Sequence, residues 1–215
     1  MPFLPNHDTR LARLLGAIAR GEQLAHRTAA RQAGLVGLAA MRRALETQAR
    51  QEHMHATSFA AAARLFDSRG GRASTPLDLA FDAYARELDA DLAAGRLAAS
   101  LVGLQGVLEG LGEALLTRLD AASEPRTAAF DALRRRFARQ EHAHQAIGAR
   151  CLRALGTGEP ALREFAGRYA VLSEALIAAG ADTLCSSTEQ TASFLICALI
   201  CARAATARWI EGVLA

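Results

Sequence analysis

The sequence predicts an all-α protein, one domain over residues 1–215, in which four long helices form a bundle accompanied by three accessory helices. Three observations carry this. Only five prolines interrupt the 215 residues. Alanine, leucine, arginine and glutamate, all good helix formers, dominate the chain. Hydrophobic residues, 51% of the total, recur almost throughout at the i, i+3, i+4 spacing of a helix face, in a chain long enough to bury a substantial core.

The first helix is expected over about 8–34, with Asp8 as N-cap. Its buried face carries Leu11, Leu14, Leu15, Ile18, Ala25 and Ala29, and Glu22 falls on that same face. The second, about 35–66, presents Met41, Leu45, Glu52, His55, Phe59 and Phe66. It stops at DSRGGRASTP, residues 67–76, where two glycines and a proline mark a loop.

An extra crossover helix, about 77–94, precedes a long, nearly all-apolar one, about 96–119, whose face carries Ala98, Val102, Glu109 and Leu116. The fourth long helix, about 124–155, follows Ser123 as candidate N-cap, with Pro125 in the first turn, where a missing N–H costs nothing. Its face runs Phe130, Leu133, Phe137, Glu141, His144, Gly148 and Cys151. Two C-terminal helices, about 161–179 and 188–213, complete the pattern.

Composition excludes several functions. The formal charge of +3 is spread along the chain, so neither nucleic acid nor an anionic membrane is implied. All 25 basic residues are arginine, which rules out Schiff-base chemistry through lysine. Cys151, Cys185, Cys197 and Cys201 form no pair of CxxC units and no secretory signal opens the chain, so a reduced, cytoplasmic setting is expected. The longest apolar run, ASFLICALICA at 192–202, is too short to span a bilayer. Cys197 and Cys201 lie inside it, where packing explains them better than metal binding.

The informative feature is a repeat. RQEHMH at 50–55 returns as RQEHAH at 139–144, with Glu141 placed 89 positions after Glu52. Glu22 precedes the first copy by 30 residues and Glu109 precedes the second by 32, so each half reads as an antiparallel helix pair that brings its two acids to one level. Glu113, one turn past Glu109 on nearly the same face, is the competing choice on the third long helix. An ionised carboxylate in a core costs several kcal/mol unless compensated, and four such acids on four apolar stripes are satisfied together by metal cations. A Glu from each of two helices plus Glu-x-x-His from each of two others is the ligand set of di-iron carboxylate bundles. The i, i+3 spacing sets carboxylate and imidazole on one face. The candidate metal ligands are Glu22, Glu52, His55, Glu109, Glu141 and His144, holding two Fe ions, or Mn or a mixed Mn/Fe pair.

At these residues the chain resembles the aldehyde-deformylating oxygenases, within the wider ferritin-like di-iron superfamily. The resemblance rests on GEQ at 21–23, QEHMH at 51–55, AAGRLAASLVGLQGVLE at 93–109 and QEHAH at 140–144, and covers roughly residues 12–155. It implies a ferritin-like four-helix bundle and a di-iron oxygenase that reduces O2 and acts on a fatty aldehyde, with electrons from a ferredoxin-type donor; by motif match it implies the same six ligands. Gly103, Gly106, Gly110 and Gly112 depart from the bulky residues of that family around Glu109, which either reshapes the cavity or allows close helix packing.

Around the ligands, His26, Gln48 and Gln105 each lie one turn from a candidate acid and are candidates for orienting it from behind. Gly106, Gly112, Val102 and Phe59 are the candidate pocket residues. The function expected is O2-dependent oxidation of a mostly apolar organic substrate. The alternatives are ferritin-type iron oxidation and storage, a helical binding protein with a vestigial site, and a tRNA-hydroxylase-like di-iron enzyme, the last without any basic, aromatic-rich patch to support it. The accessory helices favour an enzyme, since they could roof a cavity that a storage shell does not need. Oligomeric state is left open.

Overall fold

The computed structural model of the chain describes residues 5–66, 75–113, 128–184 and 188–215. All regular structure in them is helical, in seven helices with no strand. These are α1 (Pro5–Leu35), α2 (Ala39–Phe66), α3 (Pro76–Ala93), α4, α5 (Ala128–Ala154), α6 (Glu159–Leu184) and α7 (Thr188–Leu214). Helix α4 begins as Leu97–Leu101, widens to π geometry over Val102–Leu108, and stays helical through 109–113. Among the described residues no helix is long and apolar enough to cross a membrane.

The boundaries follow local chemistry. Helix α1 begins at Pro5, so Asp8 lies in its first turn and is not the cap; proline at a helix start forfeits no hydrogen bond. Helix α3 opens with a reciprocal cap: the Asp78 N–H donates to Thr75 Oγ1 (3.2 Å) and the Thr75 N–H to Asp78 Oδ2 (2.8 Å), with Pro76 next in line. Its far end closes on Gly95, at φ +71°, where the Arg96 N–H bonds the Asp91 carbonyl at 2.8 Å and the Gly95 N–H bonds that of Leu92 at 3.2 Å. Helix α5 ends the same way on Gly156, at φ +64°. Helix α6 continues past the expected 179 to Leu184; Gly180 does not end it, and its neighbours Ile177 and Ala181 remain buried. The loop at 67–74, the end of the third long helix near 119, the Ser123–Pro125 cap and Cys185 lie outside the described residues.

Helices α1 and α2 pack against each other along much of their length, α5 lies against α2 and α4, and α4 also touches α1. The accessory helices cover this assembly: α6 packs on α3, α4 and α7, and α7 on α4 and α5. The core runs through Leu45, Leu88, Leu101, Leu152, Leu162 and Tyr169, all fully buried. Two glycines permit aromatic rings to reach α4: a Cβ on Gly103 would stand 2.5 Å from the Tyr169 ring, and one on Gly106 2.6 Å from that of Trp209. Where α4 widens and its hydrogen bonds shift from i−4 to i−5, the Tyr84 hydroxyl donates to the Gly103 carbonyl at 2.7 Å.

One buried charge in the accessory layer is fully partnered. Asp91 on α3 accepts hydrogen bonds from Arg96 Nε (2.8 Å), Arg168 Nη1 (3.1 Å) and Nη2 (2.8 Å), and the Tyr169 hydroxyl (2.7 Å). Arg168 also pairs with Glu87 at 2.5 Å, which ties α6 to α3 through two acids.

Candidate metal centre

Six side chains from α1, α2, α4 and α5 converge in the interior. Glu22, Glu52, His55 and Glu141 present ligand atoms within 4.8 Å of one another, and so do Glu52, Glu109 and His144. Glu52 belongs to both groups. His55 Nδ1 lies 3.4 Å from Glu22 Oε2, 3.4 Å from Glu52 Oε2 and 3.7 Å from Glu141 Oε1. His144 Nδ1 lies 2.8 Å from Glu52 Oε1 and 3.6 Å from Glu109 Oε2. The imidazole centroids are 6.4 Å apart. All six residues predicted to gather here are thus brought together, while Glu113 accepts a hydrogen bond from Gln145 at 3.0 Å on the flank of α5.

The donor set fits a cation. Glu52 Oε2, His55 Nδ1 and His144 Nδ1 are buried with no hydrogen-bond partner. Buried polar atoms in native proteins are nearly always satisfied, and these three belong to residues of the two ligand groups that share Glu52. Oxygen and imidazole donors in this mixture suit divalent iron or manganese.

Electrostatics describes the same strain. Burial pushes the Glu22 and Glu109 carboxyls well above their ordinary range, helped by the neighbouring acids. Glu141 is raised too, again chiefly by burial. Burial would also raise Glu52, but the His144 and His55 rings beside it overcome that and hold it low. Burial would lower His55, yet the adjoining Glu22 and Glu52 carboxylates lift it to about 10.

The outer contacts are glutamine amides. Gln48 donates to Glu52 Oε1 (3.2 Å) and Glu109 Oε1 (2.9 Å). Gln105 does not reach Glu109; it donates to Gln48 Oε1 (3.1 Å) and Gln32 Oε1 (2.8 Å), one step further out. His26 bonds the Ala49 carbonyl through Nδ1 (2.8 Å) and its ring lies 5.1 Å from that of His53, so it joins α1 to α2 away from the carboxylates. Sequence reasoning missed Gln51 and Gln140. The Gln51 side-chain oxygen is 2.8 Å from His144 Nε2 and that of Gln140 is 3.0 Å from His55 Nε2. Their signal was in the repeat itself, where each Glu-x-x-His follows a glutamine.

An apolar cavity of about 130 Å³ lies beside the cluster. Glu22, Glu109 and Glu141 form its polar end, and Ile18 and Ala25 of α1, Leu77 and Phe81 of α3, and Leu176 and Ile177 of α6 line the rest. Gly112 belongs to this lining. The other three pocket candidates do not. Gly106 is covered by Trp209, Val102 is fully buried in the core, and Phe59 stacks 5.1 Å from Phe137, which in turn meets His55 edge-on at 4.6 Å. Accessory helices α3 and α6 thus supply one part of the apolar wall and the bundle helices α1 and α4 the other.

No protein-family model matches the chain, and neither a curated protein nor a solved structure is significantly similar to it. Fold and site together define an all-helical protein with a buried carboxylate and histidine cluster that could hold metal ions.

Proposed function

We propose that the chain is a ferritin-like di-metal oxygenase in which α1, α2, α4 and α5 form the four-helix bundle. It would hold two ions, iron first and manganese or a mixed pair second, and oxidise a small, mostly apolar organic molecule with O2. The observation that carries this reading is the cavity: its walls are apolar and its inner end is made of three cluster carboxylates, Glu22, Glu109 and Glu141.

Glu22 and His55 would serve one ion, Glu109 and His144 the other, with Glu52, common to both groups, between them. Glu141 faces both His55 and Glu109. Bound iron would supply the electrons and the site at which O2 is activated. The chain's own contribution is positional. Gln48 aims Glu52 and Glu109, while Ile18, Phe81, Leu176 and Ile177 exclude water so that substrate and not solvent meets the oxidant. A ferredoxin-type donor would return the electrons. A fatty aldehyde is the substrate suggested by the sequence resemblance.

The test is anaerobic loading with Fe(II), then exposure to O2 with a panel of small apolar compounds. O2 uptake should rise with one class of compound and yield its oxidised product. Iron uptake far beyond two per chain, deposited as mineral with no added compound oxidised, would replace the oxygenase reading with storage.

A further inference from the structure

We propose that Gln51 and Gln140 are positioning residues which, by offering the histidines neutral amide oxygens where a carboxylate would fit, tune the centre to a pair of divalent ions over trivalent ones. The inference rests on the di-metal reading above and concerns which charge state the site holds best.

The geometry is reciprocal. Gln51 on α2 accepts from His144 on α5, and Gln140 on α5 accepts from His55 on α2, at 2.8 Å and 3.0 Å. An amide oxygen at Nε2 requires the proton there, which leaves the Nδ1 lone pair for the cluster; both Nδ1 atoms are the ones buried without a partner. Each Glu-x-x-His therefore provides its ligands on one helix and the brace for the opposite histidine from the residue just before.

The charge of the brace matters because the centre is buried. Four ionised glutamates carry four negative charges, which two divalent ions balance; two trivalent ions would leave two positive charges uncompensated, a costly state in a core. Carboxylates at both 51 and 140 would draw their imidazoles toward the anions and make up that deficit. Burial does not forbid it, since both glutamines are only partly buried and a carboxylate there would keep one edge in water. The third group in contact with the ligands, Gln48, is also a neutral amide, backed by Gln105 and Gln32. Every side chain seen to hydrogen-bond a cluster atom from outside, among the described residues, is therefore uncharged.

The experiment uses the full chain and inert ions. Wild type, the Gln51→Glu/Gln140→Glu double variant and the Gln51→Leu/Gln140→Leu double variant are titrated with Zn(II) and with Ga(III) against competing chelators, with helicity and melting recorded for each. Wild type should bind two Zn(II) per chain. The glutamate variant should keep that stoichiometry while its Ga(III)-to-Zn(II) affinity ratio rises at least about tenfold, and its iron-loaded form should have a lower reduction potential. The leucine variant should lose roughly 10- to 100-fold in affinity for both ions at an unchanged ratio. A glutamate variant that binds two Zn(II) with ratio and potential unaltered overturns this inference and leaves the di-metal reading intact. A folded wild type that binds neither ion overturns both.

Discussion

Trp209 packs directly on the backbone of Gly106: a Cβ at that glycine would stand 2.6 Å from Cζ3 and 2.7 Å from Cε3 of the indole. The same ring would meet a Cβ on Gly148 at 3.2 Å, and its Nε1–H donates to the Gln145 carbonyl at 3.0 Å. One aromatic from α7 thus fits between α4 and α5, within a turn of Glu109 and of His144. Gly106→Leu should destabilise the fold by about 1–3 kcal/mol through overpacking. A drop in melting temperature with a changed Trp209 emission would show it; unchanged melting and emission would contradict the packing.

Gly112 should behave oppositely. It lines the cavity and a Cβ there meets nothing within 4 Å, so Gly112→Leu should fold and bind metal normally while occupying the substrate space. O2-dependent oxidation of the preferred substrate should slow at least about tenfold, since misplaced reactants forfeit much of the benefit of proximity. Stopped-flow traces matching wild type would place the substrate elsewhere.

Metal stoichiometry distinguishes the acids. Glu52→Ala should cost most, because its two oxygens serve both groups, and His144→Ala and Glu109→Ala should each lower occupancy below two ions per chain. Glu113→Ala should leave occupancy unaltered, since Glu113 is bonded to Gln145 on the flank of α5. Elemental analysis after anaerobic Fe(II) loading decides. Retention of both ions by Glu109→Ala together with their loss in Glu113→Ala would reverse the assignment.

Much of this was legible because helix periodicity is local. Glu22, Glu52, Glu109 and Glu141 each stand on an apolar stripe, and a stripe needs only its own helix to be read. The glycines were not legible in this way: Gly106 is explained by Trp209, about a hundred residues later, and Gly112 by walls from α3 and α6. Gln51 and Gln140 precede the ligand acids by one residue, some 100° from the ligand face of their own helices, and only the neighbouring helix brings each to a histidine. Asp91 is an instructive omission. It shares an apolar face with Tyr84 and Leu88, the pattern that marked the other four acids, yet arginines partner it, so an inward acid in a chain without lysine does not by itself imply metal. The π geometry of Val102–Leu108 left no sequence signal that we can identify.

The metal-free centre should weaken as pH rises. Glu22, Glu109 and Glu141 are raised above their unfolded values, so the stability they confer is complete below the unfolded carboxyl range and declines as pH climbs through their folded values. His55, raised to about 10, acts in the same sense, fully stabilising below about pH 6.5 and lost by about pH 10. Glu52, held low, keeps its contribution throughout that window. Metal-free protein should therefore melt higher at pH 5 than at pH 8, and loading with Zn(II) at pH 8 should recover the difference. A metal-free melting temperature that rises from pH 5 to pH 8 would contradict this balance.

Asp91→Ala should cost about 2 kcal/mol, below the usual figure for breaking a buried pair because the Arg96 and Arg168 side chains it leaves keep contact with water. The loss should appear in denaturant unfolding with metal stoichiometry preserved, since Asp91 joins α3 to α6 and touches no cluster residue. Loss of bound metal in a folded Asp91→Ala protein would show that the accessory layer shapes the centre itself.

The exchange of glutamines between α2 and α5 also fixes when the site can exist. A chain emerging from synthesis completes α1 and α2 first, with two acids and one imidazole, but the amide that orients that imidazole is 85 residues further on and the second histidine later still. Each half of the polypeptide carries only part of each ligand group, Glu22, Glu52 and His55 in the first and Glu109, Glu141 and His144 in the second. On the di-metal reading, ion capture should be a late event that follows the docking of α5, and separately expressed halves should acquire metal only upon being mixed.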